Sequence, residues 1–310
     1  MLILAFTLQI ILIPALSPLG FGFIKKIKAK LQNRQGAGVF QPYKDLWKLF
    51  HKDEVISVDA SWVFRLAPFI VFAVTLMVGA SIPIFGCFLP GPASSDMLLI
   101  VYALAIGTFF LALAGIDTGG AFGGFGASRE MTLSALAEGG FIFSFLTLAL
   151  ITGTTNLFGI SASIPSAYGH GLLPVLLSFS GFFVVALSET ARFPFDNPST
   201  HLELTMIHEA MVLEYSGKRL ALMEWASANR LLIFASLGAN LFFPLGIART
   251  MGLGAILLGL GAYAMKMIVL YAAIAVIEST IAKYRFFRLP DLLMVSFILN
   301  VIAIGLIKFI

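Results

Sequence analysis

The chain has little charge and almost no cysteine. Of its 310 residues, 12% are charged and 59% are hydrophobic, whereas about 25% of the residues of a soluble domain are charged. The mean hydropathy of +0.97 excludes a water-soluble globule of this size. The single cysteine, Cys87, excludes an internal disulfide and an iron–sulfur cluster ligated by this chain alone.

Signals for a bound cofactor are equally scarce. The histidines all fall between the hydrophobic runs, whereas a membrane haem needs axial histidines inside helices. The acids and histidines from His201 to Glu209 match no zinc motif such as H-E-x-x-H. The glycine-rich stretch at 119–126 lacks the lysine of a phosphate loop, so we interpret it as a flexible turn against which another backbone packs closely. We therefore expect no catalytic residue, metal or cofactor in this chain, and any redox centre must lie in partner subunits.

Hydrophobic runs of about 20 residues are long enough to cross a ~30 Å hydrocarbon core. We predict eight spans, at about 2–23, 64–88, 97–116, 132–152, 172–191, 229–248, 253–279 and 291–309. In lipid these must be helices, because a helix satisfies its backbone groups within the segment. The predicted fold is an all-α, polytopic integral membrane protein with a single membrane domain over residues 1–310.

Basic residues are concentrated on one side of these spans. The loops at about 24–63, 117–131, 192–228 and 280–290 carry the excess of lysine and arginine, whereas the opposite loops contribute Arg249. The positive-inside rule places the four loops in the cytoplasm and both termini on the other side. The first span is too long for a signal-peptide core, so we expect a retained helix. The long loops on one side indicate docking of a cytoplasmic partner.

Ionisable residues within or beside the spans are candidates for function. Within the spans these are Glu138, Glu189, Glu278 and, near the middle of the seventh, Lys266. Further acids follow between 189 and 224, namely Asp196, Glu203, Glu209, Glu214 and Glu224. Carboxylates that share a partly dry site repel one another, which raises some pKa values toward neutrality, as a proton relay requires. The alternative is a solvated acidic loop, with the acids at the span ends reaching into the headgroup region.

Three segments resemble those of one family. Residues 33–50, NRQGAGVFQPYKDLWKLF, resemble the first cytoplasmic loop of the subunit 1 family of respiratory complex I, where the pattern is R-R-G-P-x-x-x-x-x-Q-x-x-x-D-x-x-K-L. Residues 189–196, ETARFPFD, and 214–217, EYSG, resemble its E-x-x-R-x-P-F-D and E-Y-S-G signatures. The resemblance covers essentially the whole chain, with the same number of spans and the same orientation.

Within this superfamily the chain resembles the branch of membrane-bound nickel–iron hydrogenases more than the quinone-reducing branch. Residues 126–130, GASRE, and 278–285, ESTIAKYR, are similar to the G-A-S-R-E and E-N-x-x-A-R-x-R of hydrogenase-4 component C and formate hydrogenlyase subunit 4. One segment departs from the family, because residues 199–204, STHLEL, replace the usual E-A-E-x-E-L. The proton entry that the family implies is then shifted toward His201, Glu209 and Glu214, since a histidine titrates near working pH.

The resemblance implies a membrane anchor and coupling subunit that binds no redox centre itself. Its expected partners are a hydrogenase-like large subunit and an iron–sulfur small subunit on the cytoplasmic side, together with antiporter-like membrane subunits, in the inner (plasma) membrane. The residues expected to shape the docking surface are Arg34, Gln41, Asp45, Lys48, Arg192 and Asp196. The residues expected to form or flank a polar path for protons or sodium are Glu138, Glu189, His201, Glu203, Glu209, Glu214, Glu224, Lys266 and Glu278.

Two alternatives stay open. The chain could be the quinone-chamber subunit of an NADH–quinone oxidoreductase, with an entrance between the first span and the loop at 21–52. It could also be a stand-alone secondary transporter, a class often built from internal repeats with broken helices in matching positions. The two halves of the sequence show no such repeat, and the large one-sided loops have no role in a transporter.

Overall fold

The computed structural model describes residues 2–88, 93–168, 171–197 and 206–307. Its helices are α1 (Leu2–Leu31), α2 (Gln41–Phe50), α3 (Trp62–Ser81), α4 (Met97–Asp117), α5 (Ala121–Thr152), α6 (Leu157–Ala167), α7 (Leu172–Glu189), α8 (His208–Val212), α9 (Gly217–Leu237), α10 (Leu253–Thr280) and α11 (Leu289–Ile307). A π-helical turn, Gly238–Phe242, continues α9. The described residues contain isolated β-bridges but no strand. The all-α prediction is confirmed.

Seven helices within the described residues are long and apolar enough to cross a membrane. They are Thr7–Leu31, Trp62–Ser81, Met97–Asp117, Ala121–Thr152, Leu172–Glu189, Leu253–Thr280 and Phe286–Ile307, and each overlaps a predicted span. The remaining predicted span, at 229–248, corresponds to α9 and its π turn. This helix begins earlier, at Gly217, and is more polar than the others because Lys218, Glu224 and Arg230 lie within it.

α9 and its π turn lie at the centre of the molecule. Every residue from 228 to 242 is buried, which is typical of a helix surrounded by protein on all sides. α1 and α3 pack against α9, while α5, α7 and α11 pack against one another. Between these groups Phe141, Phe145, Phe182 and Phe234 form a cluster with ring centroids 4.7–6.2 Å apart. The apolar packing around α9 therefore joins the two groups of helices.

The helix α5 begins where a turn was predicted. It starts at Ala121, so its first turns include most of the glycine-rich stretch. Gly119 and Gly120 precede the helix and make the turn, with Gly119 at a φ of +67°. A Cβ atom on Gly123 would lie 2.1 Å from the carbonyl oxygen of Gly115 in α4. The predicted close approach of another backbone is confirmed, but the predicted flexible turn is wrong, because these glycines let two helices pack closely.

Backbone carbonyls near the prolines of α1 bind side chains of neighbouring helices. Pro18 has no N–H, which leaves the carbonyl of Pro14 without its helical donor. The indole Nε1 of Trp225 in α9 donates to this carbonyl at 2.9 Å, and the Tyr43 hydroxyl of α2 donates to the carbonyl of Ala15. The loop helix α2 is thereby held against α1 and α9.

We predict that Gly123→Ala lowers the thermal stability of the protein, because the added methyl group collides with the backbone of α4. Overpacking of this kind costs about 1–3 kcal/mol. The next residue, Gly124, has nothing within 4 Å of an added Cβ atom, so Gly124→Ala is the matched control and should be neutral or gain up to about 1 kcal/mol from helix propensity. The measurement is the unfolding midpoint of the purified protein in detergent. Equal midpoints for the two variants would contradict the close packing.

Candidate functional site

A buried ion triad connects three distant segments. Glu278 of α10 has a side chain that is 2% exposed. Its Oε2 accepts a hydrogen bond from Lys28 Nζ of α1 at 3.1 Å, and its Oε1 accepts one from Arg192 Nη1, in the loop after α7, at 3.0 Å. The Arg192 guanidinium also lies over the ring of Phe21, 4.6 Å from its centroid. The triad therefore fixes the loop after α7 between α1 and α10.

A second carboxylate holds the same loop in place. The buried side chain of Asp196 accepts hydrogen bonds from the backbone N–H groups of Ile207 and His208, at 3.2 and 3.0 Å. Its other oxygen accepts from Lys283 Nζ at 2.7 Å. Two backbone N–H groups and a lysine ammonium thus donate to this one carboxylate. Asp196 thus joins both ends of the segment at 197–207 to the residues that follow α10.

The histidine at the start of α8 faces an acid on α5. His208 Nδ1 lies 3.9 Å from Glu130 Oε1, an ion-pair distance, and both side chains are largely buried. Burial lowers the pKa of His208, but the carboxylates of Glu130 and Glu209 raise it more, so its pKa lies above the ordinary value. His208 can therefore carry a proton near neutral pH.

An arginine in α9 pairs with the acid at the end of α7. Arg230 is buried and its Nη2 donates to a carboxylate oxygen of Glu189. The same Nη2 donates to Thr108 Oγ1 of α4 at 2.7 Å. Glu130 and Glu138 lie close enough to act electrostatically on Glu189. The acid at the end of α7 is therefore paired with a buried cation of α9, and two acids of α5 lie within electrostatic range of it.

A cavity of about 560 Å³ opens beside the triad. Its charged and polar lining includes Lys25, Lys28, Gln32, Arg34, Gln35, Arg192, His208, Glu209, Glu224, Ser227 and Glu278. A second cavity, of about 30 Å³, shares His208 and Ser227 with it and also touches Thr75 and Arg230. The large cavity has polar walls and room for water, whereas the small cavity is lined mainly by apolar side chains. Polar groups therefore follow one another from the large cavity, past His208, to the Arg230–Glu189 pair.

Comparison with known proteins identifies the family. The family model described as NADH dehydrogenase matches residues 3–308. The chain belongs to this NADH dehydrogenase family. It is 34% identical to hydrogenase-4 component C of Escherichia coli, over 95% of this chain and 92% of that relative. It is 31% identical to formate hydrogenlyase subunit 4 of the same organism, over 90% of each chain.

More distant similarities are found both in sequence and in structure. A subunit of the NADH-quinone oxidoreductase of Paraburkholderia xenovorans is 28% identical, over 82% of this chain and 74% of that relative. A chain of the membrane-bound sulfane sulfur reductase, an archaeal respiratory membrane complex, superimposes with a TM-score of 0.82 at 18% identity, covering 99% of both chains. The family resemblance and the order of its branches are thus confirmed. This member of the NADH dehydrogenase family is an integral membrane protein whose relatives are subunits of multi-subunit complexes.

The structure brings together some of the residues predicted for the polar path. The large cavity is bordered by Glu209, Glu224 and Glu278, and Glu189 lies in the Arg230 pair. The half-buried Glu138 lies in the middle of α5 rather than near the start of the predicted span at 132–152, because α5 starts earlier than predicted. His201 and Glu203 lie outside the described residues.

Other predicted residues lie apart from this group. Glu214 is exposed, near Gly120. The ammonium of Lys266 donates to Asn240 Oδ1 at 3.1 Å, midway along α10. That these two residues belong to the path stays a prediction.

The residues predicted to shape the docking surface fall into two sets. Asp45 and Lys48 are exposed on α2, where Gln41 donates to Asp45 at 2.8 Å, and Arg34 borders the large cavity. The other set, Arg192 and Asp196, is buried in the ion pairs described above. These two buried side chains therefore fix the conformation of the loop after α7 without lying on its exposed surface.

Sequence reasoning missed Glu130, Lys283 and Arg230 as site residues. Arg230 falls inside a predicted span, so the rule that marks ionisable residues within spans could have found it. Lys283 entered the prediction only as one of the basic loop residues that indicate how the chain is oriented in the membrane. Within the described residues, no group of three or more His, Cys, Asp or Glu side chains is arranged to hold a metal ion.

We predict that His208→Gln removes a pH-dependent part of the stability. A histidine whose pKa is raised by folding stabilises the fold fully below its unfolded pKa of about 6.5, and this contribution is lost as the pH rises through the folded value. The unfolding midpoint of the variant should fall furthest below that of the parent near pH 6, with the gap narrowing above. His51→Gln, at an exposed position on the loop after α2, is the control. A gap that widens with pH would contradict the His208–Glu130 interaction.

Proposed function

We propose that the chain is the membrane anchor and coupling subunit of a redox complex of the hydrogenase-4 or formate hydrogenlyase type. The observation that carries this proposal is the sequence of buried ionic groups that starts at the charged cavity and ends at Glu189 and Glu138. Such groups are expensive inside a membrane protein and mark ion pathways by default. The relatives with 34% and 31% identity over nearly the whole chain support the type of complex.

The proposed partners dock on the side of the cavity. This side carries the basic loops, so the positive-inside rule makes it cytoplasmic and leaves the termini on the other side. A hydrogenase-like large subunit and an iron–sulfur small subunit would cover the cavity and the exposed face of α2. Antiporter-like subunits would lie beside this chain in the plasma membrane. The Fe–S clusters belong to the partners, and so does a nickel–iron centre if the large subunit has one. This chain supplies the fixed charges near them.

The proposed coupling is electrostatic. The Glu278 carboxylate is shared by Lys28 and Arg192, so the corner beside the cavity carries an excess positive charge. A unit charge arriving within about 4 Å, at an effective dielectric constant near 20, changes local energies by about 4 kcal/mol. This corresponds to pKa changes of more than one unit. A proton taken up by the acids at the cavity would then pass by His208 and Glu130 to Glu189 and Glu138.

We predict that Glu138→Gln or Glu189→Gln keeps the complex assembled and abolishes ion pumping, because an amide cannot accept and release the proton. Pumping is measured in proteoliposomes as ions moved per electron transferred. Asp59→Asn makes the same change of carboxylate to amide at an exposed loop position, and it should pump like the parent. If both glutamine variants pump at the normal ratio, the proposed path is wrong.

The second candidate function is quinone binding. The large cavity borders the C-terminal part of α1 and the start of the first loop, where the quinone interpretation places its entrance, and its volume lies within the range of small-molecule sites. A photoreactive quinone analogue should then label Phe21 or Gln35, and excess unlabelled quinone should prevent it. Absence of any displaceable label on the assembled complex would contradict this candidate.

A further inference from the structure

A third open space, separate from the two cavities described above, lies at the middle of α10. A groove of about 480 Å³ runs between α7 and α10, beside the π turn of α9. Its walls are apolar, with Phe179 and Phe183 from α7, Phe243 after the π turn, and Val269 and Leu270 from α10. One charged side chain, Lys266, reaches this groove.

Among the described residues, the ammonium of Lys266 has one hydrogen-bond partner. Its Nζ donates to Asn240 Oδ1 at 3.1 Å. The Asn240 amide donates both of its hydrogens to backbone carbonyls, those of Pro83 at 2.9 Å and Ile84 at 2.6 Å. The asparagine is therefore rigidly held, and it offers a neutral oxygen. Because an ammonium has three N–H donors, two of them have no acceptor among the residues that the structure describes, and a group in the groove can accept from them.

No carboxylate of the described residues pairs with Lys266. The acids there that form salt bridges, among them Glu189 and Glu278, do so with other cations. A charged side chain in a spanning helix costs a few kcal/mol and is usually paired with an opposite charge. The amide oxygen of Asn240 does not neutralise the ammonium. None of the described residues supplies the opposite charge, and a carboxylate from a partner chain would complete this site.

We propose that the groove between α7 and α10 is the docking site for a transmembrane helix of a partner subunit, and that this helix carries an Asp or Glu that pairs with Lys266. The inference rests on the proposed function only in that the chain is a subunit of a membrane complex. Lys266 lies midway in the 28 residues of α10, roughly 20 Å from either end at 1.5 Å per residue. Lipid phosphates do not reach that depth, and an acyl chain has no acceptor. A helix side chain brings a carboxylate to this depth.

The test uses the whole complex, purified in mild detergent through a tag on this chain. A photo-crosslinking amino acid replaces Val269, which lines the groove and is 60% exposed. Leu258, on the same helix, 75% exposed and outside the groove, is the matched control position. We expect the probe at Val269 to crosslink to a membrane subunit, at a helix that contains an acid. Lys266→Met should reduce this crosslink at least about tenfold, as expected for loss of a buried ion pair, whereas Lys266→Arg should retain it.

Crosslinks to lipid alone, to a helix without an acid, or of equal yield in Lys266→Met would overturn the inference. If Lys266→Met is folded, the complex is recovered in the same amount as the parent, and the probe at Leu258 gives the same result in both. If the variant does not fold, replacing the crosslinked acid of the partner by its amide provides the same test, and the yield should again fall about tenfold. An intact complex without the crosslink contradicts this inference alone, whereas the absence of co-purifying subunits contradicts the proposed function as well.

Discussion

The pairing of Glu278 with Lys28 and Arg192 is the interaction on which the arrangement of the site depends. The buried carboxylate of Glu278, near the end of α10, would be costly alone, and the two cations would be costly without it. Together they bring the end of α1, the loop after α7 and the end of α10 to one corner. The large cavity lies against this corner, so the triad forms one of its walls and contributes to its charge. Asp196 accepts hydrogen bonds from backbone N–H groups and from Lys283, and in this way it holds the other end of the loop in place.

The central helix α9 has a different role at each end. Its N-terminal part carries Glu224 and Ser227 to the large cavity, and Arg230 lies one turn further into the bundle. Beyond Arg230 the helix is enclosed and, apart from Ser236, apolar, until the π turn places Asn240 beside Lys266. π turns are frequent at functional sites, because the extra residue shifts the register of the side chains. A single helix thus connects the ionic groups near the cavity with the groove on the far side.

The spans and the family were predictable because both depend on local patterns. Long apolar runs identify membrane helices at any position, and the motifs at 33–50 and 189–196 are contiguous in the chain. The ion pairs were not predictable, because their members are 250 residues apart for Lys28 and Glu278 and 86 apart for Arg192 and Glu278. The start of α5 was misplaced because glycine is unfavourable in isolated helices. There the close packing against α4 outweighs propensity.

The central claim is that this chain couples a docked redox partner to ions in the membrane. The most direct measurement is to purify the tagged chain in mild detergent, identify its partners by mass spectrometry, and assay nickel and iron in the same sample. The account predicts an iron–sulfur small subunit and a hydrogenase-like large subunit in equal amounts with this chain, together with antiporter-like membrane subunits. A stable fraction that contains this chain alone, without iron, would contradict it.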